Sequence, residues 1–410
     1  MKKVIFISIF ALCTLNFALS QQYGWIDLGA NIPDSNTVQK NLRDVCFIGQ
    51  EGWIAGQYNE AKVYYTPDGG LTFTSQSFPA NSGQACQSVF MRTPQDGYAV
   101  TNTGHILKTT DGGTNWSTIG TGMGLLYSIS FPPLPEPSGY VSSGNGWVYK
   151  ITGSTIVQEL HLIGASFYSI CFPQNSDEGW VCGGATIRHR NSSGWIIGDQ
   201  NYSTGYSYNA IHFIDNQHGW AVGNQVIIRT LNGIDWFGVT NSYNYSYNDV
   251  CFVSTQEGWI VGNKILLHST DGGLTWIKEA ENLTDSAFLK SVFAVNNHEV
   301  YVTGQKNLGN NQYRSVLLKY TQITGIGERP AVGFNVFPNP TSGKFQISSD
   351  KFQVQRVEIV DLYGNKVDDI KGIFGADGME FDISHLTAGM YFIKITCNNF
   401  SVTKKLMKLK

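Results

Sequence analysis

Apolar residues recur along this chain in short runs of four to eight, rich in Val, Ile, Phe, Tyr and Trp, with Gly and Asn between them. Runs of that length and composition, bounded by turn formers, predict β-strands. The runs also repeat. A β-branched anchor returns at Val45, Val89, Ile129, Ile170, Ile211, Val250 and Val292, spaced 44, 40, 41, 41, 39 and 42 residues. Phe follows two positions later in five of the seven units, as Phe47, Phe131, Phe172, Phe213 and Phe252. A Gly-aromatic pair comes next: Gly52-Trp53, Gly97-Tyr98, Gly139-Tyr140, Gly179-Trp180, Gly219-Trp220, Gly258-Trp259 and, degenerate, Val300-Tyr301. Each unit reads as four strands, which at about 41 residues is the size of a propeller blade. The expectation is an all-β, seven-bladed β-propeller.

The two ends of the repeat suggest how the ring closes. The seventh unit, 289–321, shows three strand-like runs and lacks the Trp-bearing fourth. Tyr23-Gly-Trp25-Ile-Asp27 resembles the fourth-strand opening Thr275-Trp276-Ile-Lys278, so the N-terminal segment is expected to complete the last blade. Closure of this kind removes exposed sheet edges.

One turn punctuates the units. Ser269-Thr-Asp271-Gly-Gly-Leu-Thr-Trp276 recurs as Thr66-Pro-Asp68-Gly-Gly70-Leu-Thr72-Phe73 and Thr109-Thr-Asp111-Gly-Gly113-Thr-Asn-Trp116. A worn copy, Arg229-Thr-Leu-Asn-Gly233-Ile-Asp-Trp236, reads as having Leu231 in place of the acid. An Asp that accepts backbone N–H groups, a Gly at positive φ and an aromatic packed beneath make a self-sufficient turn. Asp68, Asp111, Asp271, Trp116, Trp236 and Trp276 are therefore read as structural. A catalytic group is wanted once, not in blades 1, 2 and 6, and the further acidic ligands of an EF-hand are missing.

The pattern Ser/Thr-x-Asp-x-Gly-x-x-Trp resembles the Asp-box, or bacterial neuraminidase repeat. The fuller unit resembles the propellers of photosystem II assembly and stability factors over roughly residues 23–321. That resemblance implies a turn joining the third and fourth strands, on the face away from the ligand site. In photosynthetic members it implies an assembly chaperone, but nothing in these residues singles out a photosynthetic role.

The C-terminal 77 residues differ in texture. Phe337-Pro-Asn-Pro-Thr-Ser-Gly343, Val357-Glu-Ile-Val-Asp-Leu-Tyr-Gly-Asn-Lys-Val367 and Leu386-Thr-Ala-Gly-Met-Tyr-Phe-Ile-Lys394 read as turns and alternating strands of a small antiparallel sandwich. The three phrases together resemble the type A C-terminal sorting domain of proteins exported by the type IX secretion system of Bacteroidetes. The resemblance implies an Ig-like sandwich at 334–410 that engages the secretion machinery and is removed at the cell surface. At the other end, Lys2 and Lys3, an apolar run over 4–19, and small residues at Ala18 and Ser20 read as a secretory signal peptide. The expected layout is signal peptide 1–20, propeller 21–321, linker 322–333 and sorting domain 334–410. The mature protein is expected to be secreted or attached at the outer-membrane surface, with no transmembrane segment.

Composition narrows the partners. A net charge of -3 on 410 residues, 14% of them charged, gives no electrostatic reason to expect nucleic acid. No phosphate loop, nucleophile elbow or metal-ligand spacing occurs, so neither metal nor cofactor is expected. Cys46, Cys171 and Cys251 fall at equivalent strand positions in different blades and read as buried thiols, and a Cys171–Cys182 bridge across one hairpin stays open. His212 reads as a satisfied residue between blades.

Two candidate sites emerge. Asp44 and Asp249 precede the first strands of blades 1 and 6 near the central mouth. They are either strand-start caps or, if their carboxyls approach within about 10 Å, a glycosidase acid/base pair. Two steps of separation round the ring argue against the pair. Tyr202, Tyr206 and Tyr208, and Tyr243, Tyr245 and Tyr247, lie in the connectors entering blades 5 and 6, opposite the Asp-box face. Tyr among Asn and Ser suits recognition of a surface protein or glycan. The function read from the sequence is a secreted binding or scaffold module, with a sialidase-like glycoside hydrolase or an assembly chaperone as alternatives.

Overall fold

The computed structural model describes residues 22–33, 41–323 and 335–409, apart from 59, 80–81, 84, 174–175, 199–206, 241–242, 311, 349–355, 362–365, 370–372, 376–377 and 398–399. The chain forms two compact units, one spanning 24–321 and one that begins at 322. The first is a ring of seven four-stranded antiparallel sheets. Their first strands are Asn41–Ile48, Cys86–Met91, Leu126–Ser130, Ser169–Cys171, Tyr208–Phe213, Tyr247–Phe252 and Ala287–Asn296. Each packs beside the first strands of its two neighbours, and the last returns to Asn41–Ile48, so the circle is complete. The fourth strand of the seventh sheet is Gln22–Asp27. The N-terminal segment and the end of the repeat thus share one blade, and Asp27 meets Arg314 at 2.7 Å.

The repeated residues make the joints between blades. The second strands beginning at Gly179, Gly219 and Gly258 are buried at every position because both sheet faces meet a neighbouring blade. Trp180 stacks on Phe213 at 3.7 Å, Trp220 on Phe252 at 3.6 Å, and Tyr301 of blade 7 on Phe47 of blade 1 at 3.7 Å. In each case the aromatic of one Gly-aromatic pair covers the Phe of the next blade. The Gly is required for its own blade's Phe: a Cβ on Gly179 would lie 2.3 Å from the Phe172 ring.

Every first strand except that of blade 4 carries a one-residue bulge two positions before its anchor, at Arg43, Gln87, Tyr127, Asn209, Asn248 and Lys290. A bulge turns an extra side chain out of the pleat, and here it does so at one rim of the ring.

The C-terminal unit is a sandwich of two four-stranded antiparallel sheets. Its core is Phe345, Ile347, Val357, Ile359, Phe381, Ile383, Tyr391, Ile393, Ile395 and Leu406. The Pro-Asn-Pro-Thr phrase fastens the final strand, Phe400–Lys408. Asn339 Nδ2 donates to the Lys405 carbonyl at 2.6 Å, and its Oδ1 accepts from Met407 N at 3.0 Å. Thr341 N and Leu409 N complete a short parallel bridge between the two segments.

Candidate functional site

The Asp-box turns and the central channel occupy opposite roles in the ring. In blade 6, Asp271 Oδ1 accepts Thr275 N at 2.9 Å and the Ser269 hydroxyl at 2.9 Å, while Ser269 Oγ accepts Gly273 N. Asp68 and Asp111 repeat this arrangement. Desolvation raises the Asp68 and Asp271 carboxyls, but the hydrogen bonds they accept, led by those from Thr72 and Thr275, together outweigh it and hold both below the usual carboxylate range. Asp111 is likewise lowered, first by the Asn115 N–H.

In the worn copy the acid is not replaced by Leu231, which is exposed. Asn232 takes its place, accepting Ile234 N and Asp235 N at 3.0 and 2.8 Å in a turn one residue shorter. An amide oxygen accepts N–H groups as a carboxylate does, so the turn survives the substitution.

Each intact turn also receives the preceding blade. Trp53 Nε1 donates to Gly112 O at 2.8 Å, Trp220 Nε1 to Gly272 O at 3.0 Å, and the Tyr301 hydroxyl to Gly69 O at 3.3 Å. Where the next blade has the shortened turn or none, as for Trp180 and Trp259, the buried indole N–H makes no hydrogen bond. The Asp-box is therefore a clamp between blades as well as a turn.

The channel, of about 670 Å³, is lined by the seven first strands. Toward the face opposite the Asp-boxes the residues before the anchors form a collar: Asp44, Ser88, Ser128, Ser169, Ala210, Asp249 and Ser291. Several of these cap the neighbouring blade's anchor N–H, which the inner sheet edge leaves unpaired. Asp44 accepts Val89 N at 3.0 Å, Ser169 accepts Ile211 N at 3.2 Å, and Asp249 accepts Val292 N at 2.9 Å. One layer deeper, Ser130 and Cys171 accept Phe172 N and Phe213 N, and His212 Nε2 donates to Phe252 O at 3.1 Å. Burial pushes His212 down to about 4, so it is neutral. Cys46, Cys171 and Cys251 sit in this layer as free thiols, each pushed up to about 12 chiefly by burial. Cys171 faces Trp180 in the ladder and Cys182 faces Ser169, so the two cysteines are not opposed and both remain free.

Asp44 and Asp249 are linked through the intervening blade 7, which presents Ser291 to one and Val292 to the other. The Ser291 hydroxyl donates to Asp44 Oδ1 at 3.1 Å, while the next residue, Val292, donates its N–H to Asp249 Oδ2 at 2.9 Å. Burial raises both carboxyls, Asp249 to about 7. Every carboxylate oxygen of the pair accepts a backbone N–H. That supports strand capping over an acid/base pair.

Above the collar the bulge residues form a rim. Arg43 donates to Gln87 Oε1 at 3.0 Å, and the rings of Tyr127 and Tyr168 meet edge to face at 5.0 Å. Asn209 and Asn248 are tied to the carbonyls of Tyr247 and Leu289 at 2.7 and 2.6 Å. Two cations stand together here. Lys290 is held below the usual lysine range by burial and then by the charge of Arg43, and makes no ion pair among the described residues. Sequence reading missed this rim because a bulge, which sets the direction of these side chains, has no signature of its own in the residues.

The tyrosine cluster divides. Tyr202 and Tyr206 lie outside the described residues. Tyr208 and Tyr247 are not surface groups: both are buried, at 1% and 0% exposure, in the core position that Leu42, Leu126 and Leu289 fill in other blades. Aligning the units three residues before the anchor would have shown this. Tyr243 and Tyr245 are half-buried against the core of blades 5 and 6 and retain an open edge.

Comparison with known proteins agrees with both units. Residues 195–281 and 229–308 match the family described as photosynthesis system II assembly factor YCF48, and 335–409 match the secretion system C-terminal sorting domain. A photosystem II assembly lipoprotein, Ycf48, of Synechococcus sp. (strain CC9902) is 26% identical over 208 residues; the match covers 48% of this chain and 60% of the relative's length. A structure titled YCF48 bound to D1 peptide superposes with TM-score 0.57 at 20% identity, over 73% of this chain and 97% of that one. PorZ, a surface component of the type IX secretion system of Porphyromonas gingivalis, superposes with TM-score 0.50 at 12% identity, over 92% and 60% of the two chains. The ring is thus an Asp-box propeller like the photosystem II assembly factors, and the chain ends in a type IX sorting domain. Such a tail implies export through that system to a secreted or surface location. Among the described residues no helix is long and apolar enough to cross a membrane.

Proposed function

We propose that the exported ring is a binding module that seats an extended segment of a partner protein across the collar-side mouth, with an anionic group against Arg43 and Lys290. The observation that carries this is the pair of adjacent, half-buried cations on the rim. Their neighbours Gln87, Tyr127 and Tyr168 offer side-chain hydrogen-bonding groups in the surrounding ring. A similar ring is titled as bound to a peptide, which favours a peptide over a glycan as occupant here. Tyr243 and Tyr245 extend the same face toward blades 5 and 6. We place the signal peptide at 1–20 and the sorting domain at 334–410, with both removed from the mature protein. The hydrolase reading is disfavoured because Asp44 and Asp249 are committed to backbone N–H groups.

The test is a screen of peptides with free and amidated C-termini against the ring and its Arg43→Gln/Lys290→Gln variant. Free-carboxylate peptides are expected to lose at least tenfold in affinity in the variant, with an unchanged melting curve. Equal binding of amidated and free peptides, or full binding by the variant, would overturn the assignment.

A further inference from the structure

We infer that the joint between blade 6 and the closing N-terminal strand is a latch set by one proton, carried by His268. The ring of His268 lies flat on Trp259, its ladder partner, with centroids 4.8 Å apart. Each of its two nitrogens faces a carboxylate: Nε2 meets Glu257 Oε1 at 3.1 Å and Nδ1 meets Glu279 Oε1 at 2.9 Å. A neutral imidazole has one N–H to give and serves only one of the two, whereas the imidazolium serves both. The second oxygen of Glu279 accepts the Trp25 indole N–H at 2.7 Å. Trp25 belongs to Gln22–Asp27, the strand that completes blade 7. One row of contacts, from Glu257 through His268 and Glu279 to Trp25, therefore ties three parts of blade 6 to the segment that closes the ring.

Blade 4 carries the same aromatic pair without the latch. His189 stacks on its ladder partner Trp180 at 4.4 Å, and its Nε2 meets Glu178 at 2.8 Å. The position of Glu279 is taken there by Gly198: Gly198 N donates to Ile187 O as Glu279 N donates to Leu266 O, but glycine has no side chain to reach the ring. The two histidines then diverge. Burial lowers both, and in His189 the bond and charge of Glu178 do not overcome it. In His268 the bonds and charges of Glu279 and Glu257 outweigh burial and raise it. Burial of Glu279 is in turn outweighed by its bonds from His268 and Trp25, which hold it below its usual range. The other charges on the elements packed round His268 are engaged elsewhere: Lys278 with Glu281 at 3.4 Å, Asp27 with Arg314 at 2.7 Å, Lys319 with Glu299 at 2.9 Å and Arg229 with Gly272 O at 3.1 Å, while Lys290 lies at the collar rim. The folded ring holds the His268 proton more tightly than the unfolded chain does. The latch is therefore fully made between about pH 4.5 and 6.5 and is lost as pH rises through the folded value of His268. Once the proton leaves, one glutamate loses its donor and two carboxylates face a neutral ring, with Trp25 held by one of them.

The test reads the proton and the strand separately, on the full chain. In protein labelled with nitrogen-15 histidine, with signals assigned by their loss in His268→Gln and His189→Gln, His268 is expected to be protonated on both ring nitrogens at pH 7 and His189 on one. Hydrogen exchange of the segment 22–28, corrected for its intrinsic pH dependence, is expected to lose about tenfold in protection between pH 6 and pH 9, while 194–197 in blade 4 holds steady. Glu279→Gln keeps an acceptor for Trp25 and removes the charge. In that variant the His268 midpoint is expected to fall by about 1 pH unit or more, and exchange of 22–28 to become flat with pH. A neutral His268 at pH 7 overturns the proton assignment. Protection of 22–28 that does not change as His268 titrates overturns the latch. A pH dependence that survives in Glu279→Gln overturns the route through that carboxylate. Exchange in wild type decides the latch even where a variant fails to fold.

Discussion

Two sets of aspartates on one ring show opposite behaviour. Asp68, Asp111 and Asp271 sit in exposed turns where several donors converge on each carboxylate and solvent screens the charge. Their carboxyls are lowered. Asp44 and Asp249 also accept backbone N–H groups, but on the wall of the central channel, and desolvation there raises them. Hydrogen-bond count alone does not set the direction; the loss of solvation in the channel outweighs the added bonds. The first set holds turns and blade joints, whereas the second holds joints at the expense of a charge that is costly to keep.

The largest effect that would sharpen this contrast is expected from Asp44→Ala. It orphans two backbone N–H groups and one hydroxyl, contributed by blades 1, 2 and 7. A loss of about 3 kcal/mol in denaturant unfolding is expected, with channel water recovering part of the bonding. A loss below about 1 kcal/mol would mean the collar contributes little to ring closure.

Next in size is the pH dependence. The Asp249 carboxyl is pushed up to about 7 in the folded ring, against an ordinary value of 3.8 for an aspartate in the unfolded chain. The native state then holds a proton that the unfolded chain releases between those values. This contribution is fully present at low pH and is lost as pH rises through 7. Comparing wild type with Asp249→Asn isolates it: wild type should lose about 2–3 kcal/mol more than the variant between pH 5 and pH 8. The Asp-box set should do the reverse, contributing stability above pH 4 that is lost on acidification. Parallel pH profiles for wild type and variant would remove the contrast.

The smallest effects belong to the turns. Asp271→Ala should cost about 1–2 kcal/mol, since the freed N–H groups in an exposed turn can bind water. Grafting the blade 6 turn in place of the shortened turn of blade 5 should give Trp180 Nε1 an acceptor. A gain of about 1 kcal/mol in chemical denaturation is expected. A neutral graft would show that the clamp does not depend on turn length.

Much of the ring was legible because its repeats are local. The anchor, the Phe two positions on and the Gly-aromatic pair each pack against their counterpart in the next blade, so one spacing specifies all the joints. The Asp-box was legible for the same reason, as Asp271 bonds residues within four positions. The tyrosines misled because composition reports residue type and not depth. Tyr208 and Tyr247 occupy a position that Leu42 fills elsewhere. Leu231 misled because the turn had lost a residue, which moved Asn232 into register.

What the sequence by itself determined is the all-β class, the seven-fold repeat, the closing N-terminal strand and the sorting sandwich, each encoded in short-range periodicity and turn chemistry. What only the tertiary structure decided is the mouth. Arg43, Asp44, Asp249, Lys290 and Ser291 span more than half the chain and converge through ring closure and a recurrent bulge. Their charges meet only when the first and last blades of the ring are brought round to the same axis.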